Sequence, residues 1–217
     1  MTITKDILIL AKSGKHGNFC IAGKEISTGN WIRPISDNNE TNGAITEDQA
    51  RLTYDGATCA PWKCKTLRKV RINFSQHAPN DYQPENYQID NTQWIQLYTE
   101  DVDLNNYVDD TPLDIWGPNN TLTHQEAIAA NSSLYLLRVN DISFYINPNT
   151  DPNDTRTRIR ATFSYNGYQY DFPVTGSGAP NPNECPRNYS SGIFCISLGE
   201  LYHELHYKLI AAVYNLE

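Results

Sequence analysis

Two short stretches hold residues whose types and spacing suit binding chemistry. Lys12-Ser13-Gly14-Lys15, followed by His16-Gly17, sets two ammonium groups and several backbone N–H groups in one polar segment. Such a segment suits phosphate oxygens. Downstream, Trp31-Ile32-Arg33-Pro34-Ile35 reads as a strand, because Pro34 forbids a helix and biases Arg33 towards extended backbone. With a period of two, Trp31, Arg33 and Ile35 share one face, which places an aromatic ring beside a guanidinium. A base can stack on the ring, and the guanidinium can reach base or phosphate. Arg68 and Arg71 add cations in a later strand pattern, Leu67 to Phe74. Lys12, Ser13, Lys15, Trp31, Arg33, Arg68 and Arg71 are the candidate nucleic-acid contacts. An alternative stays open in which Trp31 caps a core with Arg33 lying over it, and the Lys12–Asn18 stretch is a solvated glycine-rich turn.

Other chemistry is poorly represented. The lysine-containing stretch lacks the glycine spacing and the following Ser or Thr of a Walker loop. His203-Glu204-Leu205-His206 brings the second histidine one residue too early for the helical zinc motif. Neither a nucleophile elbow nor a dinucleotide fingerprint occurs. Asp101-Val102-Asp103 and Asp109-Asp110 read as solvated acids. Of the five cysteines, Cys20 and Cys195 sit inside apolar strand patterns. Cys59-x4-Cys64 is the one close pair, and Cys185-x9-Cys195 is too loose for a second zinc knuckle. The expectation is reduced thiols, no structural metal, no cofactor and no catalytic group.

The net charge of −8 argues against a generic nucleic-acid binder until the charge is located. Residues 1–75 hold 11 Lys/Arg against 7 Asp/Glu, residues 76–137 hold 10 acids and no Lys or Arg, and residues 138–217 hold 6 against 8. The first third is therefore a locally basic surface on an acidic chain. That pattern suits single-stranded RNA or DNA as one partner and leaves the acidic surface for a protein partner. No apolar run approaches a membrane span, and the N-terminus lacks the apolar region and cleavage site of a signal peptide. A cytoplasmic, non-membrane protein is expected.

The elements that would position these residues are mainly strands. Fourteen Tyr, 12 Gly and 12 Pro favour an all-β protein with minor helix. Asp6 to Ala11, Phe19 to Ile26 and Trp31 to Ile35 read as strands, Ala44 to Leu52 as a helix, and Leu67 to Phe74 as a further strand. This is the order of a five-stranded OB barrel lacking its last strand. An irregular connection at 77–86 leads to Trp94–Tyr98, which would close the barrel. Residues 106–130 form an acidic, proline-broken connecting segment, with a short helix expected near its end, capped by Thr123 with Glu126 three residues on. Ser133 to Asn140 is a strand, followed by a loop rich in Asn, Asp and Pro. Arg158–Tyr165 and Tyr168–Val174 flank Asn166-Gly167, the signature of a type I′ hairpin. That turn pairs Tyr165 with Tyr168 and Phe163 with Tyr170. Ala161, Phe163, Tyr165, Tyr168, Tyr170 and Phe172 then share one face, either core or stacking surface. Gly192–Leu198 and Tyr207–Tyr214 supply the last strands.

Lys12-Ser13-x-Lys15, Cys20-x-Ala22-Gly23 and Gly29-x-Trp31-Ile32-Arg33-Pro34 resemble the opening of the dual OB-fold domain family of bacterial and phage proteins. The likeness continues through Gln83-Pro84-Glu85-Asn86 with Trp94, the Phe163–Val174 hairpin, Ser197-Leu198-Gly199-Glu200 and Tyr207-Lys208-Leu209-Ile210-Ala211. It departs at Tyr202–His206, where a glycine-containing turn is expected. The resemblance implies two tandem OB-like five-stranded barrels packed as one unit, residues 1–105 and 131–217, and a nucleic-acid-binding role associated with bacterial or phage conflict systems. A protein-interaction adaptor, or a nucleotide or small-molecule sensor using the Lys12–Asn18 loop, remains the alternative function.

Overall fold

The computed structural model describes residues 2–217 except 16, 57, 98–100, 111 and 149–156. The chain divides into two compact units, Met1–Tyr107 and Val108–Glu217.

In the first unit, β1 (Ile3–Lys15), β2 (Asn18–Glu25) and β3 (Trp31–Ile35) form a meander. Two small strands, β4 (Arg51–Thr53) and β5 (Trp62–Lys63), precede β6 (Lys69–His77), β7 (Asn86–Ile89) and β8 (Trp94–Gln96). The first half of β1 pairs with β6, and its second half with β2. A bulge between Ile9 and Ala11 lets one strand serve both neighbours. The order β1-β2-β3-β7-β6 then returns to β1 as a closed five-stranded barrel, with β3 and β7 parallel. Ile7, Ile9, Ile21, Ile32, Val70, Ile72, Phe74 and Ile89 fill it. Leu8 and Leu10 are also fully buried, so the apolar run Ile7–Leu10 is a strand covered on both faces. Closure needs β1 and β2 in close approach at Gly23, where a Cβ would stand 2.1 Å from the Leu8 carbonyl oxygen.

Three expectations change here. The helix expected at Ala44–Leu52 is absent: Ile45 bridges Phe19 through two backbone hydrogen bonds, and β4 follows a run of turns. Ile45, Ala50 and Leu52 are buried at spacings of five and two, which no helix face provides. Thr46 and Gln49 exchange side-chain and backbone hydrogen bonds (3.0 and 3.2 Å) that close a local turn instead. Secondly, the closing strand is β7, at the end of the expected irregular connection; β8 lies outside the ring, between β6 and β4. Tyr98, in the strand expected there, falls outside the described residues. Thirdly, β1 runs on to Lys15, so Lys12, Ser13 and Lys15 belong to a hairpin arm and not to a loop.

The second unit repeats the plan. After β9 (Thr121–Thr123) and α1 (His124–Ala129) come β10 (Leu134–Asn147), β11 (Arg158–Tyr165), β12 (Tyr168–Ser177), β13 (Arg187–Tyr202) and β14 (Leu205–Tyr214). The order β12-β11-β10-β13-β14 is brought back on itself by a parallel β12–β14 pairing, the counterpart of β3–β7. Gly176 permits that return, since a Cβ there would stand 1.7 Å from the Ala211 carbonyl oxygen. The strand does not end at Asn140 as expected: Asp141, at φ 51, forms a bulge, and β10 continues through buried Ile142 and Phe144 to Asn147, while residues 149–156 of the expected loop lie outside the described residues. The Asn166-Gly167 turn has both residues at positive φ and the expected register, Tyr165 with Tyr168 and Phe163 with Tyr170. α1 carries the Thr123–Glu126 capping box.

Residues 108–110 and 112–117 lie along this second barrel. Asp109 exchanges hydrogen bonds with the Leu136 backbone (2.7 and 2.8 Å), the Tyr165 hydroxyl donates to the Pro112 carbonyl (2.7 Å), and Ile115 joins the core. Trp116 stacks on Tyr135 with centroids 4.5 Å apart. Lys208, with no exposed surface, donates from Nζ to the carbonyls of Trp116 (3.0 Å) and Gly117 (2.8 Å).

Candidate nucleic-acid interface

Arg33 does not stand on an open face. It is 6% exposed, its Nη2 lies 3.2 Å from Glu85 Oε1, and its backbone N–H donates to the Glu85 carbonyl (2.8 Å). Glu85 immediately precedes β7, so parallel pairing of β3 with β7 brings the two charges together. Trp31 is half-buried opposite Lys24 on β2, whose Nζ lies 5.2 Å above the indole and donates to the Tyr107 carbonyl (2.7 Å). The period-two assignment of faces is sound; the assumption that this face meets solvent is what changes.

The other cations lie around the β1–β2 hairpin and the 42–68 excursion packed against it. Lys12 opposes the core residue Ile21, and its Nζ sits 4.0 Å over the Phe19 ring. That ammonium donates to the Cys64 carbonyl (3.2 Å) and lies 3.7 Å from Glu47, whose other oxygen is 3.5 Å from Lys63 Nζ. Lys15 donates to the Asn42 carbonyl at 2.6 Å, and Ser13 pairs with Cys20. Arg68 and Lys65 are exposed. Burial pushes the Cys64 thiol up to about 12, although Lys12 and Arg68 act to lower it. Arg71 stands apart, bidentate to Asp6 (2.8 and 2.9 Å), on an open groove of ≈ 750 Å³ shared with Lys5, Glu25 and Asn73.

Sequence reasoning missed an aromatic pair beside this cluster. Tyr54, 51% exposed, meets Trp62 with centroids 4.8 Å apart, and the indole is fixed by its Nε1 donating to Gln96 Oε1 (3.1 Å). Arg51 and Lys63 are cross-strand partners on the same ribbon. The available signal was the interleaving of Arg51, Tyr54, Trp62, Lys63, Lys65 and Arg68; the helix assigned to Ala44–Leu52 obscured it.

On the second barrel, the aromatic face of the β11–β12 hairpin is core. Phe163, Tyr165, Tyr170 and Phe172 are buried, leaving Tyr168 exposed at the turn. Burial raises the pKa of the Tyr165 and Tyr170 hydroxyls. The opposite face is polar and bonded within itself: Asp171 accepts from the Tyr145 hydroxyl (2.7 Å) and from Arg160 Nε (2.9 Å). His203 and His206 lie on a hairpin and share no helical face. His206 is fully buried, with Nδ1 2.8 Å from the Gly199 carbonyl and Nε2 3.0 Å from His124 Nδ1.

All five cysteines are unlinked. Among the described residues no three His, Cys, Asp or Glu side chains gather as a metal site, and no helix is long and apolar enough to cross a membrane. No curated protein matches the chain. A family model for the dual OB-containing domain matches residues 5–213, nearly the whole chain, which therefore belongs to that family.

Proposed function

We propose that this protein binds single-stranded nucleic acid without catalysing a reaction, and that it serves a bacterial or phage conflict system, as the family resemblance implies. The supporting observation is the nearness, on the first barrel, of the exposed cations Lys63, Lys65 and Arg68 to a ring pair in which Tyr54 is exposed and Trp62 half-buried. Lys15, Lys63, Lys65 and Arg68 would track phosphates, with Lys12 and Ser13 at the hairpin arm, while Tyr54 would stack a base. Trp31, half-buried against Lys24 on β2, would add a further ring. Arg33 supports it from inside through Glu85.

The experiment is a titration of labelled single-stranded RNA and DNA oligonucleotides at two salt concentrations. Tyr54→Ala should weaken binding by about 1–3 kcal/mol if the ring stacks a base. Its exposure makes the substitution safe for folding. Absence of binding by the parent at low salt would defeat the reading.

A further inference from the structure

The hairpin joining β13 to β14 carries features that nucleic-acid binding does not use. Its two turn residues, His203 and Glu204, both adopt left-handed backbone (φ 48 and 65), a conformation that favours glycine. Tyr202 and Tyr207 share one face of the tip and are 63% and 38% exposed; Leu201, on the other face, is 51% exposed. The Tyr202 ring meets His203 edge-on at 4.1 Å and Tyr207 at 6.3 Å.

The tip is held firmly. His206 ties its root to Gly199 and to His124 of α1, and Leu205–Tyr207 pair with β9. Aromatic rings are thus held out in water on strained backbone, a combination that local stability alone disfavours. Carboxylates accompany the rings on the hairpin itself: Glu204 is exposed at the turn, and Glu200 stands two residues before Tyr202. Lys208, the one Lys or Arg between Gly192 and Tyr214, is buried beneath the 115–117 segment.

We propose that this tip docks a protein partner whose surface is an apolar cleft flanked by Lys or Arg. Tyrosine anchors on a rigid projection suit such a cleft. Charge complementarity selects its cationic rim, and the same carboxylates repel phosphates, which disfavours a nucleic-acid strand at this point.

The test is selection of a randomised peptide library on the full chain, with counter-selection on the Tyr202→Ser/Tyr207→Ser variant. Enriched peptides should combine apolar residues with Lys or Arg. They should bind the double variant, and separately Glu204→Lys, about tenfold or more weakly. Thermal unfolding confirms that both variants fold. Failure to enrich, enrichment of acidic or uncharged peptides, or equal binding by the variants would overturn the proposal. So would a single-stranded oligonucleotide whose affinity falls with the same two tyrosine substitutions.

Discussion

Between Arg33 and Glu85 the first barrel buries two opposite charges 3.2 Å apart. Removing one leaves its partner buried and undercompensated, which costs about 3–5 kcal/mol, whereas replacing both with apolar residues of similar size is far milder. Arg33→Met should therefore strongly lower stability in urea unfolding, and Arg33→Met with Glu85→Leu should recover most of the loss. Recovery of oligonucleotide binding together with stability would separate support from direct contact. Lys208 gives a second prediction. Burial lowers its pKa to about 8, while an unfolded lysine keeps its proton to about 10.4. Between those values the unfolded chain holds the extra proton, so this residue makes stability rise with pH, by at most about 1.4 kcal/mol per pH unit. Cys64, pushed up to about 12, acts oppositely once an unfolded thiol ionises. The parent's profile should therefore be measured against Lys208→Met, and the difference should climb between about pH 8 and 10. A flat difference would show that the Lys208 amine is not charge-stressed by its site.

At the scale of elements, local chemistry was legible where it was self-contained. Asn166-Gly167 set both the turn and the register of β11–β12, and Thr123 with Glu126 set the start of α1. Local signals failed where pairing partners were distant. Nothing within Asn86–Ile89 announces a strand, because it becomes one by lying parallel to β3, over fifty residues earlier in sequence. Arg33's burial was hidden for the same reason, since alternation gives the face and not what covers it. The parallel closures make a prediction: Gly176→Ala must part β12 from Ala211, so the loss should reach or exceed the upper end of the roughly 1–3 kcal/mol range for overpacking. The turn at His203-Glu204 predicts the reverse. Glu204→Gly relieves a left-handed residue and should raise stability by about 1 kcal/mol in chemical denaturation.

Across the whole molecule, the composition and strand order point to two barrels of one topology, and the charge pattern puts most of the cations, within residues 1–75, on the first. Which cations reach solvent was beyond the sequence, because Lys24 and Lys208 are buried while Lys63, Lys65 and Arg68 are exposed. This difference yields a test by counterion release. Each phosphate neutralised on a single strand contributes about 0.7 to the slope of log K against log salt. Replacing Lys63, Lys65 and Arg68 with Ala in the full chain should flatten that slope by up to about 2 and weaken binding to all sequences alike. Replacing Arg138 and Arg187, exposed on the second barrel, should leave the slope near that of the parent. Were the second pair to flatten it instead, the strand would run over the second barrel, and the cations around Cys64 would serve only the fold.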